Sequence, residues 1–419
     1  MKERVLRMVA RFLGAAAKKM AAKLPPSTIV IGVTGSSGKT STKEAIGNLF
    51  KIAFGDNCLV SSGNLNNEIG LPLALLGYRE VPTAWQYPGV LMGAWWRARN
   101  LRPKGAYVLE YAVDRPGDMD KLLDIIKPNI AVFTNIAAVH LENYPTHKAL
   151  IAEKLKMATN LPQNGAVIAN GDDIPLKRSI NQLNLAVKVQ FFGTGANCDA
   201  RLVSYKLQSN STEFTVQRQN KATQYEIGAL GEQHVLAVLP SILVGELLEI
   251  DRDTIAKALK EYQPLPGRGN IIFGVKDSII INDTYNANPL STEKMLEVLR
   301  TMPAPSKIAV LGDMLELGEA SKREHERILT LAKQSAEQVI TVGRRMAEPK
   351  LAHHSFLSPM EAAQFLKDHL TEGAVLAVKG SQSMRMELVV KELMLDPLKA
   401  EELLPRQNKT WLAKPFELV

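Results

Sequence analysis

Cysteine is scarce in this chain of 419 residues: only Cys58 and Cys198 are present, far apart and without metal-ligand spacing. That argues against a disulfide framework and against a cysteine-held zinc, and a reducing cytoplasm is the expected compartment. Long apolar runs are also missing. In the opening segment MKERVLRMVARFLGAAAKKMAAKLPP, charges at Arg4, Arg7, Arg11, Lys18 and Lys19 break every such run, well short of the ~18 residues a spanning helix needs. The apolar h-region of a signal peptide is lacking as well. There is no RNP-type aromatic motif, zinc finger or dense Lys/Arg run, so no nucleic-acid partner is expected. Internal repeats and low-complexity segments are absent too.

What is there suffices for two or three domains, since 46% of the residues are hydrophobic and each domain can bury its own core. The net charge of +8 favours acidic partners such as nucleotides, phosphorylated sugars or an anionic membrane surface. Near the start, Val5, Leu6, Val9, Phe12, Leu13 and Ala16 recur at helical spacing, with most basic residues on other faces. This predicts a basic amphipathic helix within residues 1–27. Such a helix either docks on its own protein or lies in the plane of a membrane, where residues 1–24 would make a peripheral contact at the inner face.

After Pro25 and Pro26, STIVIGVTGSSGKTSTKEAIGNLF reads as a β-branched strand, a glycine turn and a helix. Further buried strands are expected at 106–110, 130–134 and 166–170, spaced widely enough for helices between them. The fold class is therefore α/β: a central, P-loop ATPase-like domain over residues 28–264 with a mostly parallel sheet. Alternating segments RLVSYKL and TEFTVQRQ suggest antiparallel strands on its edge. Pro264, Pro266, Gly267 and Gly269 cluster at a boundary. Beyond it, strands at 278–281, 307–311, 338–342 and 374–378 alternate with helices, giving a second, Rossmann-like α/β domain over residues 265–419.

The most specific motif is TGSSGKTS, residues 34–41. Gly35 and Gly38 let backbone approach phosphate oxygens, amides opening the next helix point at them, Lys39 supplies charge, and Thr40 is suited to hold magnesium. Val33 stands where the first glycine of the general P-loop pattern would be. The shorter TGxxGKT form resembles that of Mur ligases and folylpolyglutamate synthases. Together with NLNNEIGLPLALL, VLEYAVDRPGDMD, PNIAVFTNIAAVHLENYPTHKALIAEKLKM and LPQNGAVIANGDD, it makes the chain similar to the Mur ligase family. INDTYNANPLSTEKML, VLGDMLELGEASKREH and VKGSQSMRME resemble the branch of that family that adds D-alanyl-D-alanine in peptidoglycan biosynthesis.

The resemblance implies an ATP-dependent carboxylate–amine ligase that forms an acyl phosphate and then an amide, releasing ADP and phosphate. It implies ATP contacts at Thr34, Gly35, Ser36, Ser37, Gly38, Lys39, Thr40, Ser41 and Asn135, and from the second domain at Arg268, Asp283, Tyr285, Asn286 and Asn288. It further implies that Thr40, Glu110, His140 and a carbamylated Lys154 hold Mg2+, with Lys39, Glu110, His140 and Lys154 forming the catalytic set. Lys156 departs from the usual family residue, a glutamate. His234 in GEQHVLAVLPS is displaced by one position from the family pattern, and Ala237 replaces an asparagine. The implied partners are a small-molecule or UDP-linked sugar-peptide and D-alanyl-D-alanine; the sequence leaves the oligomeric state open, a monomer being the expectation. Domain closure about residues 264–270 would complete the site.

Only 27 residues precede the ATP domain, so the resemblance implies that the usual UDP-holding domain is missing. A shorter sugar-peptide, a rebuilt UDP site or a different carboxylate then stay open, as does a nucleotide-binding subunit that needs a partner. The Trp- and Arg-rich insertion at 83–105 suits substrate stacking, interfacial lipid contact or a plain helix covering the sheet.

Overall fold

The computed structural model describes residues 2–63, 65–136, 143–414 and 416, with side chains from Val5 onward. The chain forms two compact units. The first comprises Met1–Ser204, Phe214–Tyr225 and Val235–Tyr262; the second takes Tyr205–Glu213, Glu226–His234 and Gln263–Val419. The two short excursions into the second unit escape a boundary drawn from Pro/Gly clustering, which marks where a chain turns and not which core a strand end joins.

The nine strands of the first sheet are β1 (Ile29–Thr34), β2 (Cys58–Val60), β3 (Ala106–Glu110), β4 (Ile130–Phe133), β5 (Ala166–Asn170), β6 (Lys188–Gly193), β7 (Ala200–Leu207), β8 (Thr212–Arg218) and β9 (Lys221–Ile227). Their order is β2-β3-β1-β4-β5-β6-β7-β8-β9, and the ladders from β2 through β7 are parallel. Strand β1 is buried almost throughout, as a strand covered on both faces must be. By contrast β8 alternates between buried and half-buried residues, and only two residues join it to β9, a connection short enough for antiparallel neighbours alone. Because β1 lies between β3 and β4, with Val33 beside Glu110 and Thr34 beside Phe133, the carboxyl ends of three adjacent strands open onto one place.

Helices α1 (Lys2–Ala21), α2 (Lys39–Phe54), α3 (Gly70–Leu75), α4 (Tyr87–Asn100), α5 (Asp118–Ile125), α6 (His147–Thr159) and α7 (Ile174–Gln182) follow in order, then α8 (Glu232–Leu247) and α9 (Arg252–Lys260). Leu13, Ala16, Ala17 and Met20 recur at i, i+3, i+4 and i+7 and are buried where α1 meets α3, α4 and α5. Burial of Leu13 and Met20 is worth on the order of 2 kcal/mol each, so this helix docks on its own unit. Among the described residues no helix is long and apolar enough to cross a membrane.

The second unit carries β10 (Asn270–Phe273), β11 (Ile279–Asp283), β12 (Lys307–Gly312), β13 (Gln338–Val342), β14 (His354–Phe356) and β15 (Val375–Lys379) in the order β10-β11-β15-β12-β13-β14. Only β10 pairs antiparallel. Successive residues along the central strands enter opposite cores: Ile280, Val310 and Leu376 on one face, Ile281, Leu311 and Ala377 on the other. Helices α10 (Pro289–Thr301) and α11 (Ser321–Ser335) pack on the latter face.

Candidate active site

At the end of β1, the buried Thr34 hydroxyl donates to the Tyr111 carbonyl (2.7 Å). Its hydroxyl proton is therefore committed to the sheet, and its carbonyl accepts from Thr134 N (3.0 Å). At Gly35, φ is +152°, and a Cβ would fall 1.9 Å from Thr134 Oγ1 and 2.9 Å from the Asn135 carbonyl. No side chain fits there. The loop is laced to the end of β4: Ser36 N donates to Asn135 O (2.6 Å), Ser37 N to Asn135 Oδ1 (2.9 Å), and Thr134 Oγ1 to Ser37 O (2.6 Å). Gly38, at φ +78°, caps α2 without a side-chain bond, and the first turn holds no acidic residue. The positive end of the helix dipole thus faces the loop without an acidic residue to offset it, which suits an anion. Lys39 Nζ folds back on Ser36 O (3.2 Å), and Thr40 and Ser41 follow in the same turn.

Glu110 ends β3 and is buried. Asn66 Nδ2 donates to its Oε1 (2.9 Å), whereas Oε2 has no hydrogen-bond partner. A buried carboxylate oxygen left in that state is costly unless a cation serves it, and this donor set fits a divalent metal. Lys154, on α6, is buried too, with Nζ donating to Gly35 O (3.1 Å). Burial first, and then the charge of Lys39, push its pKa down to about 7, against the opposing pull of Asp114, Glu153 and Glu110. A substantially neutral amine therefore sits against the phosphate loop at physiological pH.

Lys156 is a different kind of residue. It bridges Asp120 (2.6 Å) and Glu153 (2.8 Å), which raise its pKa, Asp120 foremost. Glu153 in turn accepts from the amides of Gly117 and Met119, both at 2.9 Å, at the start of α5. Lys156 thus ties α6 to α5. His140 lies outside the described residues. Among the described ones no three His, Cys, Asp or Glu side chains converge as a metal group; of the residues expected to hold Mg2+, Thr40, Glu110 and Lys154 are described.

In the second unit, Asp283 and Lys379 end neighbouring parallel strands in direct register. Buried Lys379 donates to Asp283 Oδ2 (2.5 Å) and to Asn286 O (3.0 Å). The Arg268 guanidinium lies 4.2 Å from the centre of the Tyr285 ring. Below this turn, Glu387 binds both Arg385 and Arg406 (2.6 Å each), and Arg406 donates to the carbonyls of Thr284 and Tyr285. Asn288, expected as a nucleotide contact, also starts α10: its Oδ1 accepts from Ser291 N (2.9 Å) in a capping box. Asn286 Oδ1 accepts from Ala287 N (2.9 Å). His234 is fully buried, and desolvation lowers its pKa to about 4 despite Asp283. It is neutral at physiological pH.

A family profile described as the Mur ligase middle domain matches residues 33–245, and one described as the Mur ligase glutamate ligase domain matches residues 267–382. The chain belongs to the Mur ligase family. It is 28% identical over 382 residues to the UDP-N-acetylmuramoyl-tripeptide–D-alanyl-D-alanine ligase of Bacillus subtilis, covering 88% of this chain and 77% of that protein. The Escherichia coli protein of the same name is 28% identical over 371 residues, covering 87% and 76%. Among solved structures, the MurF ligase of Thermotoga maritima in complex with ADP superposes with a TM-score of 0.77 at 27% identity, covering 91% of this chain and 83% of that one. A MurF of Acinetobacter baumannii gives 0.74 at 25% identity, covering 92% and 80%.

Within this Mur ligase chain the sequence motifs bring together the phosphate loop, Asn135, Glu110 and Lys154 in the first unit, and Arg268, Asp283, Tyr285 and Asn286 in the second. Three residues were missed. Asn66 orients Glu110, and it lay inside NLNNEIG, a motif read as a block. Lys379 was marked by a charged residue closing the apolar run AVLAV. Arg406 carried no local signal, because its role depends on a fold-back from the last fifth of the chain.

Proposed function

We propose that this Mur ligase adds D-alanyl-D-alanine to the carboxylate of a UDP-linked muramoyl-peptide. The chain is an ATP-dependent carboxylate–amine ligase. The γ-phosphoryl group passes to the carboxylate, giving ADP and an acyl phosphate. The dipeptide amine attacks the acyl carbon and loses a proton, and the tetrahedral adduct expels phosphate to leave the amide. Two anions must approach for the first step, so cationic and dipolar groups carry most of the work. Lys39 and the positive end of α2 supply them at the phosphates, and Arg268, Asp283, Tyr285 and Asn286 are the nucleotide contacts assigned to the second unit.

Mg2+ would be held by Thr40, Glu110, His140 and a carbamylated Lys154, and it would supply charge neutralisation at the transferred phosphoryl group. Carbamylation asks for a neutral lysine: the amine lone pair adds to CO2 and a proton leaves, converting a potential cation into an anionic oxygen ligand. The observation that carries this reading is Lys154, with its depressed pKa and its contact with the Gly35 carbonyl.

The test is ADP release by the purified chain with ATP, Mg2+, UDP-muramoyl-tripeptide and D-alanyl-D-alanine. Release that depends on both acceptors, with mass analysis of the ligated product, is expected. Release with another amine but not with the dipeptide would remove the substrate assignment and spare the chemistry.

A further inference from the structure

Helix α1 buries one flank and leaves another bare. Val5, Met8 and Phe12 recur at i, i+3 and i+7 and are exposed, Met8 by 65%. They meet a second bare face: on α4, Met92, Trp95, Trp96 and Arg99 share one side at i, i+3, i+4 and i+7, while Ala94 and Ala98 on the opposite side are buried. The join is specific. Trp95 packs edge-on against Phe12, with ring centres 6.0 Å apart at 79°, and Lys19 Nζ lies 5.3 Å from the Trp95 ring centre. Around this seam Met92 is 82% exposed, Trp96 67% and the neighbouring Trp85 79%. Scattered exposed apolar residues are ordinary, but a continuous set of Trp and Met on two packed helices marks an interaction surface.

The charges around it choose the occupant. Residues 5–24 contain Arg7, Arg11, Lys18, Lys19 and Lys23 and no Asp or Glu; residues 83–105 contain Arg97, Arg99, Arg102 and Lys104 and again no Asp or Glu. Some of these cations serve the fold. Lys18 pairs with Asp124 of α5 (2.6 Å), Lys23 donates to the carbonyls of Arg99 (2.9 Å) and Leu101 (3.2 Å), and Arg97 donates to Leu76 O (3.1 Å). Arg11, Arg99 and Arg102 are exposed on the rim. A second copy meeting this surface through a two-fold axis would set cation against cation. A bilayer with anionic headgroups instead satisfies both features: Trp rings settle at the headgroup level, and Arg and Lys meet lipid phosphates.

We propose that the paired faces of α1 and α4 form a docking surface for an anionic lipid bilayer, which holds this ligase on the membrane surface. The full chain is sedimented with sucrose-loaded vesicles of phosphatidylcholine, with and without phosphatidylglycerol. Binding is expected only with the anionic lipid and should weaken with added salt. The Arg11→Gln/Arg99→Gln pair should lose affinity by about 25-fold, at roughly five-fold per cation. Met92→Ser/Trp96→Ser should lose binding while melting temperature and vesicle-free ADP release stay at wild-type values, because both side chains are exposed. Absence of wild-type binding to anionic vesicles, or binding indifferent to these substitutions, overturns the proposal. So does a concentration-dependent dimer, seen in sedimentation velocity, that Met92→Ser/Trp96→Ser abolishes: the face would then belong to a second copy.

Discussion

Replacing Lys154 by methionine keeps the apolar stem and removes the amine. Burial and the neighbouring Lys39 hold the wild-type pKa at about 7 in place of 10.5. At pH 8 about 90% of the amine is then neutral, against about 0.3% for an ordinary lysine, so roughly 300 times more of it can add CO2. The same depression has a signature in stability. The folded pKa lies below the unfolded one, so between about pH 7 and 10.5 the unfolded chain holds the extra proton and native stability rises with pH. Below pH 7 the folded wild type carries a charged, buried amine at a cost on the order of 4 kcal/mol. In CO2-free buffer at pH 6, Lys154→Met should therefore melt above wild type, and its advantage should shrink steadily towards pH 10. Turnover should fall on the order of 100-fold or more, and the shorter Lys154→Ala, which leaves room for a small molecule, should recover partly in acetate or propionate, whose carboxylate stands in for the carbamate. Carbon-13 bicarbonate should give the wild type a carbamate resonance that the variant lacks. Unimpaired turnover in Lys154→Met, or a melting difference that ignores pH, would refute this account.

Lys39→Ala should cut ADP release on the order of 10²–10³-fold by removing charge at the transferred phosphoryl group, with little change in melting temperature. Glu110→Gln retains a side-chain oxygen to accept from Asn66 but loses the negative charge; the Mg2+ concentration for half-maximal turnover should rise about 10–100-fold, and an unchanged Mg2+ titration counts against a metal at Oε2. Gly35→Ala should abolish nucleotide binding in calorimetric titration, and adding Thr134→Ala should not restore it, because the Asn135 carbonyl still lies 2.9 Å from the new Cβ. Lys379→Met strips Asp283 of a buried partner and should cost about 3 kcal/mol of stability in denaturant unfolding; a smaller loss than 1 kcal/mol would make that pair peripheral.

The two α/β units were legible because their strands are short buried apolar runs with glycine turns after them, and parallel sheets impose that pattern on any sequence. The phosphate loop was legible because its residue types fall at fixed spacing in one short stretch, whereas the lacing of Thr34, Ser36 and Ser37 to Tyr111, Thr134 and Asn135 could not be read from it. Glu110 could be picked out as the charge ending the run AYVL, but its unpaired oxygen is a property of what packs around it. Asn288 was read as a nucleotide contact, and its second role was not visible: Asn before Pro also serves as a helix cap, and its Oδ1 caps α10. Lys154 and Lys156 differ by two positions on α6, which places them on different faces; sequence left both open as solvated charges, and the burial of one and pairing of the other separate them. The Trp/Arg insertion could not be resolved in advance, because its three readings share one amphipathic pattern and differ only in what the exposed side meets.

If Lys154 is carbamylated as proposed, the charge of Lys39 beside it implies an order of events. Lys39 is the second largest cause, after burial, of the depressed Lys154 pKa. A polyphosphate settling against Lys39 offsets that charge, so an unmodified Lys154 would then regain a proton and become one more cation at the loop. As a carbamate it is instead an anion that Lys39 stabilises, and it no longer titrates as an amine. The physical requirement for a neutral lysine is met best before the nucleotide arrives, so under the proposed carbamylation the modification of Lys154 would precede nucleotide binding. The Gly35 carbonyl that accepts from Nζ in the unmodified chain would lose that donor on modification.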